Sequence, residues 1–132
     1  MYTTIEQSQK LKELGLPSST ADMIYVTPIR KYPEVMIKNH QYNKGAIPCW
    51  STEALFQLLP YYIKENNTLY WCEIGRANNT ITLCNSRAEP QSIFTATGDS
   101  LLESLFKTMC KLLDNTYYIS LMKRIDWNIE VL

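Results

Sequence analysis

The stretch from Gly98 to Asn115, GDSLLESLFKTMCKLLDN, constrains this chain more than any other. Set on a helix at 100° per residue, Leu101, Leu112, Leu105, Met109, Leu102, Leu113 and Phe106 fall within an arc of about 140°. Cys110 borders that arc. Ser100, Glu103, Ser104, Lys107, Thr108, Lys111 and Asp114 take the opposite side. So complete a division requires one wall in an apolar core and the other in water, and predicts a helix over Asp99–Asn115 that covers a sheet or another helix. Asp99 is placed to accept from the first free amides, and Asp114-Asn115 to end the helix. Docking of the same stripe on a partner's helix is the alternative, but a core-facing stripe is commoner in a domain of this size.

Such a helix needs a scaffold, and 132 residues suffice for one core but not for two ordinary domains. Residues 1–116 are expected to form a single domain, with 117–132 a C-terminal strand extension of it. The 13 basic and 13 acidic residues balance, so bulk charge points to neither nucleic acid nor a membrane surface, although a local patch can bind either. No run of about 18 apolar residues occurs, so no transmembrane helix is expected. The N-terminal MYTTIEQSQKLKELG lacks the apolar centre of a secretory signal, which predicts a cytoplasmic protein.

Cys49, Cys72, Cys84 and Cys110 lack the two-to-four-residue spacing of a zinc knuckle. Three of them sit in apolar runs, so they read as buried, inert thiols in a reducing compartment. No metal or cofactor is predicted. Asn66-Asn67-Thr68 and Asn78-Asn79-Thr80 match the glycosylation sequon but read as turns.

The remaining elements follow from punctuation. A first helix is expected from Thr4 to Leu14, stopped by Gly15 and Pro17, with the thin apolar face Ile5, Leu11 and Leu14. Met23–Thr27 and Val35–Lys38 read as strands joined by a turn at Ile29–Tyr32. Ser51 caps a short helix over Thr52–Leu59, with Pro60 beyond it and Leu55, Phe56, Leu58 and Leu59 largely buried. Thr68–Ile74 and Thr80–Cys84 form a hairpin, and Gln91–Ala96 gives one further strand. The fold class is therefore α+β: one antiparallel sheet of four or five strands, covered by the long helix of the C-terminal half and by the shorter Ser51 helix.

At the C-terminus, Ile125, Trp127, Ile129 and Val131 alternate with Asp126, Asn128 and Glu130, the pattern of a half-buried strand. It either closes the edge of the domain's own sheet or reaches a second copy or another protein by strand addition. These four apolar residues are the candidate partner-binding residues.

The run Lys10-Leu11-Lys12-Glu13-Leu14-Gly15, then Ser51 through Pro60, then a Tyr/Trp hairpin, then the Asp99–Asn115 helix, resembles a group of short uncharacterised α+β proteins. These are encoded by prophages and mobile elements of bacteria, including gut anaerobes. The resemblance spans residues 4 to 116 and implies a small α+β cytoplasmic protein without a known active site; residues 117 to 132 extend beyond the pattern.

No catalytic residues are assigned. The single histidine, His40, lies in a polar loop beside Asn39, Gln41 and Tyr42, and no phosphate loop, HExxH or paired-carboxylate motif occurs. The expected function is non-enzymatic: a protein-interaction or accessory protein of a mobile element, with an unknown protein partner or self-association through the C-terminal strand. The alternative is a nucleic-acid-binding accessory protein using Arg30, Lys31, Lys38 and Lys44, interleaved with Tyr25, Tyr32 and Tyr42. A solvated strand face and loop explain the same basic residues.

Overall fold

The structure, a computed structural model, describes residues 1–26, 34–37, 46–60, 62–65, 68–75, 77–84 and 92–114. The α+β class holds, but among the described residues the strands form two antiparallel sheets, one of three strands and one of four, rather than the single sheet expected. In the first, β1 (Met23–Val26) is central, with β2 (Glu34–Ile37) and β3 (Ile47–Cys49) on either side. In the second, β4 (Tyr62–Glu65), β5 (Thr68–Gly75), β6 (Thr80–Cys84) and β7 (Ser92–Thr97) run in sequence order as a meander.

Local chemistry at β3 accounts for the separation. Pro48 pairs with Ile24 and has no N–H to offer a further strand, and the N-terminal segment lies against the same stretch through the Thr3 N–H bond to the Trp50 carbonyl (2.9 Å). Neither β3 nor β4 was assigned as a strand from sequence, because both are short and each contains or closely follows a proline.

Helix α1 (Ile5–Glu13) begins at Thr4, whose hydroxyl accepts from Gln7 N while the Gln7 side chain accepts from Thr4 N: a reciprocal capping box. It ends at Gly15, whose φ of 100° only glycine adopts without strain. Helix α2 (Thr52–Gln57) is capped by Ser51, as expected, and stops two residues before the anticipated end; Phe56 is 40 % exposed rather than buried.

Helix α3 (Leu101–Asp114) differs from expectation at its start and along one border. The Ser100 hydroxyl, not Asp99, accepts from Glu103 N (3.2 Å), while Glu103 Oε2 accepts from Asp99 N (3.0 Å). Ser104 and Thr108, assigned to water by their polarity, are fully buried. Both border the apolar arc on its Leu101 side. Ser104 Oγ donates to the Asn79 carbonyl at the β5–β6 hairpin tip, and Thr108 Oγ1 donates to the Ser104 carbonyl (2.8 Å), so both hydroxyls are satisfied without water.

One continuous core joins these elements: Leu11 and Leu16, Trp50, Leu55 and Leu58, Ile81 and Leu83, and the buried row Leu102, Leu105, Met109, Leu112 and Leu113 of α3. Along β6 Ile81 and Leu83 face α3 and Thr82 faces away, an alternation that breaks at buried Cys84 where the register shifts, and β7 answers with Ala96 and Phe94 opposite Ile81 and Leu83. Helix α3 thereby lies across β6 and β7, at one border of the four-stranded sheet.

Candidate functional site

Two places concentrate polar or partly exposed chemistry among the described residues. The first is a buried knot around Thr3. Its Oγ1 accepts from Trp50 N (3.1 Å) and lies 2.7 Å from Ser8 Oγ; its carbonyl accepts from Tyr25 OH (2.6 Å) and from the Cys49 thiol (3.5 Å). Trp50 Nε1 donates to Thr20 Oγ1 (2.9 Å). Just outside, both Asp22 carboxylate oxygens grip Ser51, accepting from its N–H (2.9 Å) and its hydroxyl (2.5 Å), while that hydroxyl accepts from Ala54 N (3.1 Å).

The chemistry of this knot is structural. Burial pushes the Cys49 thiol up, away from the thiolate a nucleophile requires, and pushes the Tyr25 hydroxyl up to about 12. Ser51 is a helix cap whose hydroxyl is already committed on both sides. The knot docks residues 1–4 against β1, β3 and α2.

The second place is a groove of about 490 Å³ between α3 and β7. Phe94, Thr95, Ala96 and Thr97 of β7 form one wall, and Phe106, Lys107, Cys110, Lys111 and Asp114 of α3 form the other. The helix residues recur at i, i+4 and i+8 and so make one flank, about 12 Å long, beside the sheet border. Lys107 ties the walls together: its Nζ donates to the Thr97 carbonyl (2.8 Å) and lies 3.5 Å from Glu103 Oε1. Lys111 Nζ sits 5.9 Å from the Phe94 ring centroid, within cation–π range. Burial raises the Cys110 thiol, against the opposing influence of Lys10, so it contributes a small apolar surface at neutral pH.

The backbone beside this groove is its distinctive feature. Among the described residues β7 pairs with β6 alone, so the amides and carbonyls on its far side have no ladder partner there. Thr95 and Thr97 are exposed and line the groove together with the flank of α3.

The partner-binding candidates Ile125, Trp127, Ile129 and Val131, the nucleic-acid candidates Arg30, Lys31, Lys38 and Lys44, and His40 all lie outside the described residues. Sequence reasoning missed the groove because a strand edge and a helix flank become a site only when packed together. Its one legible trace was that Phe106 is the last residue of the apolar arc and Cys110 borders it, with lysines beside them. Cys49 and Cys84 are buried and Cys72 and Cys110 half-buried, none of the four in a disulfide; burial pushes the Cys72 thiol up to about 12. Among the described residues there is no group of three or more His, Cys, Asp or Glu side chains placed to hold a metal ion, and no helix is long and apolar enough to cross a membrane.

No protein-family model, curated protein or solved structure matches the chain. Nothing in these comparisons bears on the expected likeness to proteins of prophages and mobile elements.

Proposed function

We propose that this chain is a non-enzymatic protein-interaction protein that takes an extended segment of a protein partner onto the edge of β7. The observation that carries the proposal is that β7, paired on one side only among the described residues, forms one wall of the groove. A strand laid beside β7 gains main-chain hydrogen bonds from one wall, and every second side chain meets the Phe106 and Cys110 surface on the other. Strand addition places affinity in the backbone and selectivity in alternate side chains, so a short groove of two phenylalanines and two lysines is chemically sufficient. Lys107 and Lys111 at the rim favour polar or acidic groups beside the apolar contacts.

Selection of displayed random peptides on the full chain, followed by amide hydrogen exchange on the selected complexes, tests this. Enriched peptides should alternate apolar and polar residues and should slow exchange within Ser92–Thr97. Absence of enrichment, or protection confined to other strands, would overturn the proposal.

A further inference from the structure

We infer that the segment taken onto β7 carries an Asp or Glu side chain two residues from an apolar one, and that Lys111, not Lys107, is the residue that selects it. This rests on the strand-addition reading above and names the chemistry of the partner's segment. The two lysines of the groove are not equivalent. Lys107 is committed on both sides: its Nζ donates to the Thr97 carbonyl (2.8 Å) and lies 3.5 Å from Glu103 Oε1, while Glu103 Oε2 accepts from Asp99 N (3.0 Å). Those contacts fasten the first turns of α3 to the end of β7, and they give the Lys107 charge its counter-ion within the fold.

Lys111 has no such counter-ion. Its Nζ stands 5.9 Å from the Phe94 ring centroid, and among the described residues no carboxylate lies within ion-pair distance of it. A ring face attracts the cation yet leaves ammonium hydrogens free to donate to a carboxylate. The surrounding charge has the same sign. Lys10 of α1 and Asp114 both act on the Cys110 thiol, in opposite senses. With Lys107 and Glu103 paired, Lys10 and Lys111 stand against Asp114 alone, which leaves a surplus of positive charge around Cys110 that an acidic segment complements.

Register turns that charge into a sequence rule. Phe94 and Ala96 are the β7 residues that face α3, and they lie two apart. On an added strand the residues beside them also point toward α3 and also lie two apart, whichever way the strand runs. The residue beside Phe94 comes within about 5.5 Å of it, Cβ to Cβ, so an Asp or Glu there can meet the Lys111 ammonium. Beside buried Ala96 the wall is a methyl group, and the neighbouring side chain rests on Phe106 and Cys110, which suits an apolar residue. A Lys or Arg beside Phe94 is repelled, so the groove rejects segments that a purely apolar one accepts.

The pair lies at the groove's rim, so the effect is that of a partly solvated ion pair: about 3-fold in affinity between Glu and Gln beside Phe94, and about 10-fold between Glu and Lys. The probes are the fluorescent peptides TVTETVT, TVTQTVT and TVTKTVT. Each reads alike in both chain directions and sets the tested residue between two valines on one face. They are titrated by anisotropy against the wild-type full chain, Lys111→Gln and Lys111→Glu, with hydrogen exchange of Ser92–Thr97 on the saturated complexes.

Wild type should prefer the Glu peptide to the Lys peptide about 10-fold, with the Gln peptide between, and added salt should shrink that difference; both readouts need no variant. Lys111→Gln should bind all three alike, and Lys111→Glu should reverse the order. Equal binding of the three by wild type, or the wild-type order kept in Lys111→Gln, would overturn the inference; slowed exchange of β7 in those complexes would leave the strand-addition reading standing. If no peptide slows exchange within Ser92–Thr97, both fail.

Discussion

Replacing Thr3 by valine tests whether the buried knot, rather than apolar contact alone, holds the N-terminal segment in place. Thr3 is fully buried, and its hydroxyl satisfies the Trp50 N–H and the Ser8 hydroxyl. Valine keeps the shape and leaves both groups without that partner. A buried polar group left unpaired costs about 1–3 kcal/mol, and Ser8 can recover part of its loss by turning toward the backbone, so Thr3→Val should destabilise by about 2–4 kcal/mol. Thr3→Ser keeps the hydroxyl and removes one methyl, a loss of about 1 kcal/mol. At roughly 4 °C per kcal/mol for a chain of this size, the two variants should melt about 4–12 °C apart.

Guanidinium denaturation with unchanged slope, together with calorimetry, gives both numbers. The double variant Thr3→Val/Ser8→Ala should be less destabilised than the sum of its parts, because removing Ser8's hydroxyl removes one of the orphaned groups. If Thr3→Val proved as stable as Thr3→Ser, or the double variant strictly additive, the hydrogen bonds would not be what fixes residues 1–4.

Further outcomes follow from the same packing. Met109→Ala, at a fully buried position of α3, should cost about 2–5 kcal/mol in denaturant titrations. The Tyr25 hydroxyl, held at about 12, keeps its proton in the folded protein after the unfolded chain begins to lose it near 10; stability is therefore intact below pH 10 and declines as pH rises toward 12. Burial of Cys49 and Cys72 acts in the same direction from about pH 9, so urea midpoints should fall across the alkaline range and show no matching loss from pH 7 to 8. Asn79 holds a φ of 51° and its side chain donates to the Asp99 carbonyl, so Asn79→Ala should destabilise by about 1–2 kcal/mol, and Asn79→Gly by less, in thermal melts. Thiol titration at pH 7 should find Cys49 unreactive until the protein unfolds.

Sequence alone determined the α+β class and the local elements whose signals are short-range. Thr4 and Ser51 cap their helices through side chains three residues from the amides they serve, the 68–84 hairpin follows from its own turn, and the stripe of α3 carries the period that buries it. Only tertiary structure decided what depends on distant neighbours. Pro48 and the docked N-terminus divide the strands into two sheets; Ser104 and Thr108 are buried because a hairpin tip 25 residues away from Ser104 accepts a hydroxyl proton there. The groove exists because α3 packs at the border of its sheet, over a strand paired on one side among the described residues. Capping and periodicity act over a few residues and can be read along the chain. Sheet order, edges and the burial of polar side chains are settled by which distant segments meet, and a single chain's pattern does not encode that pairing locally.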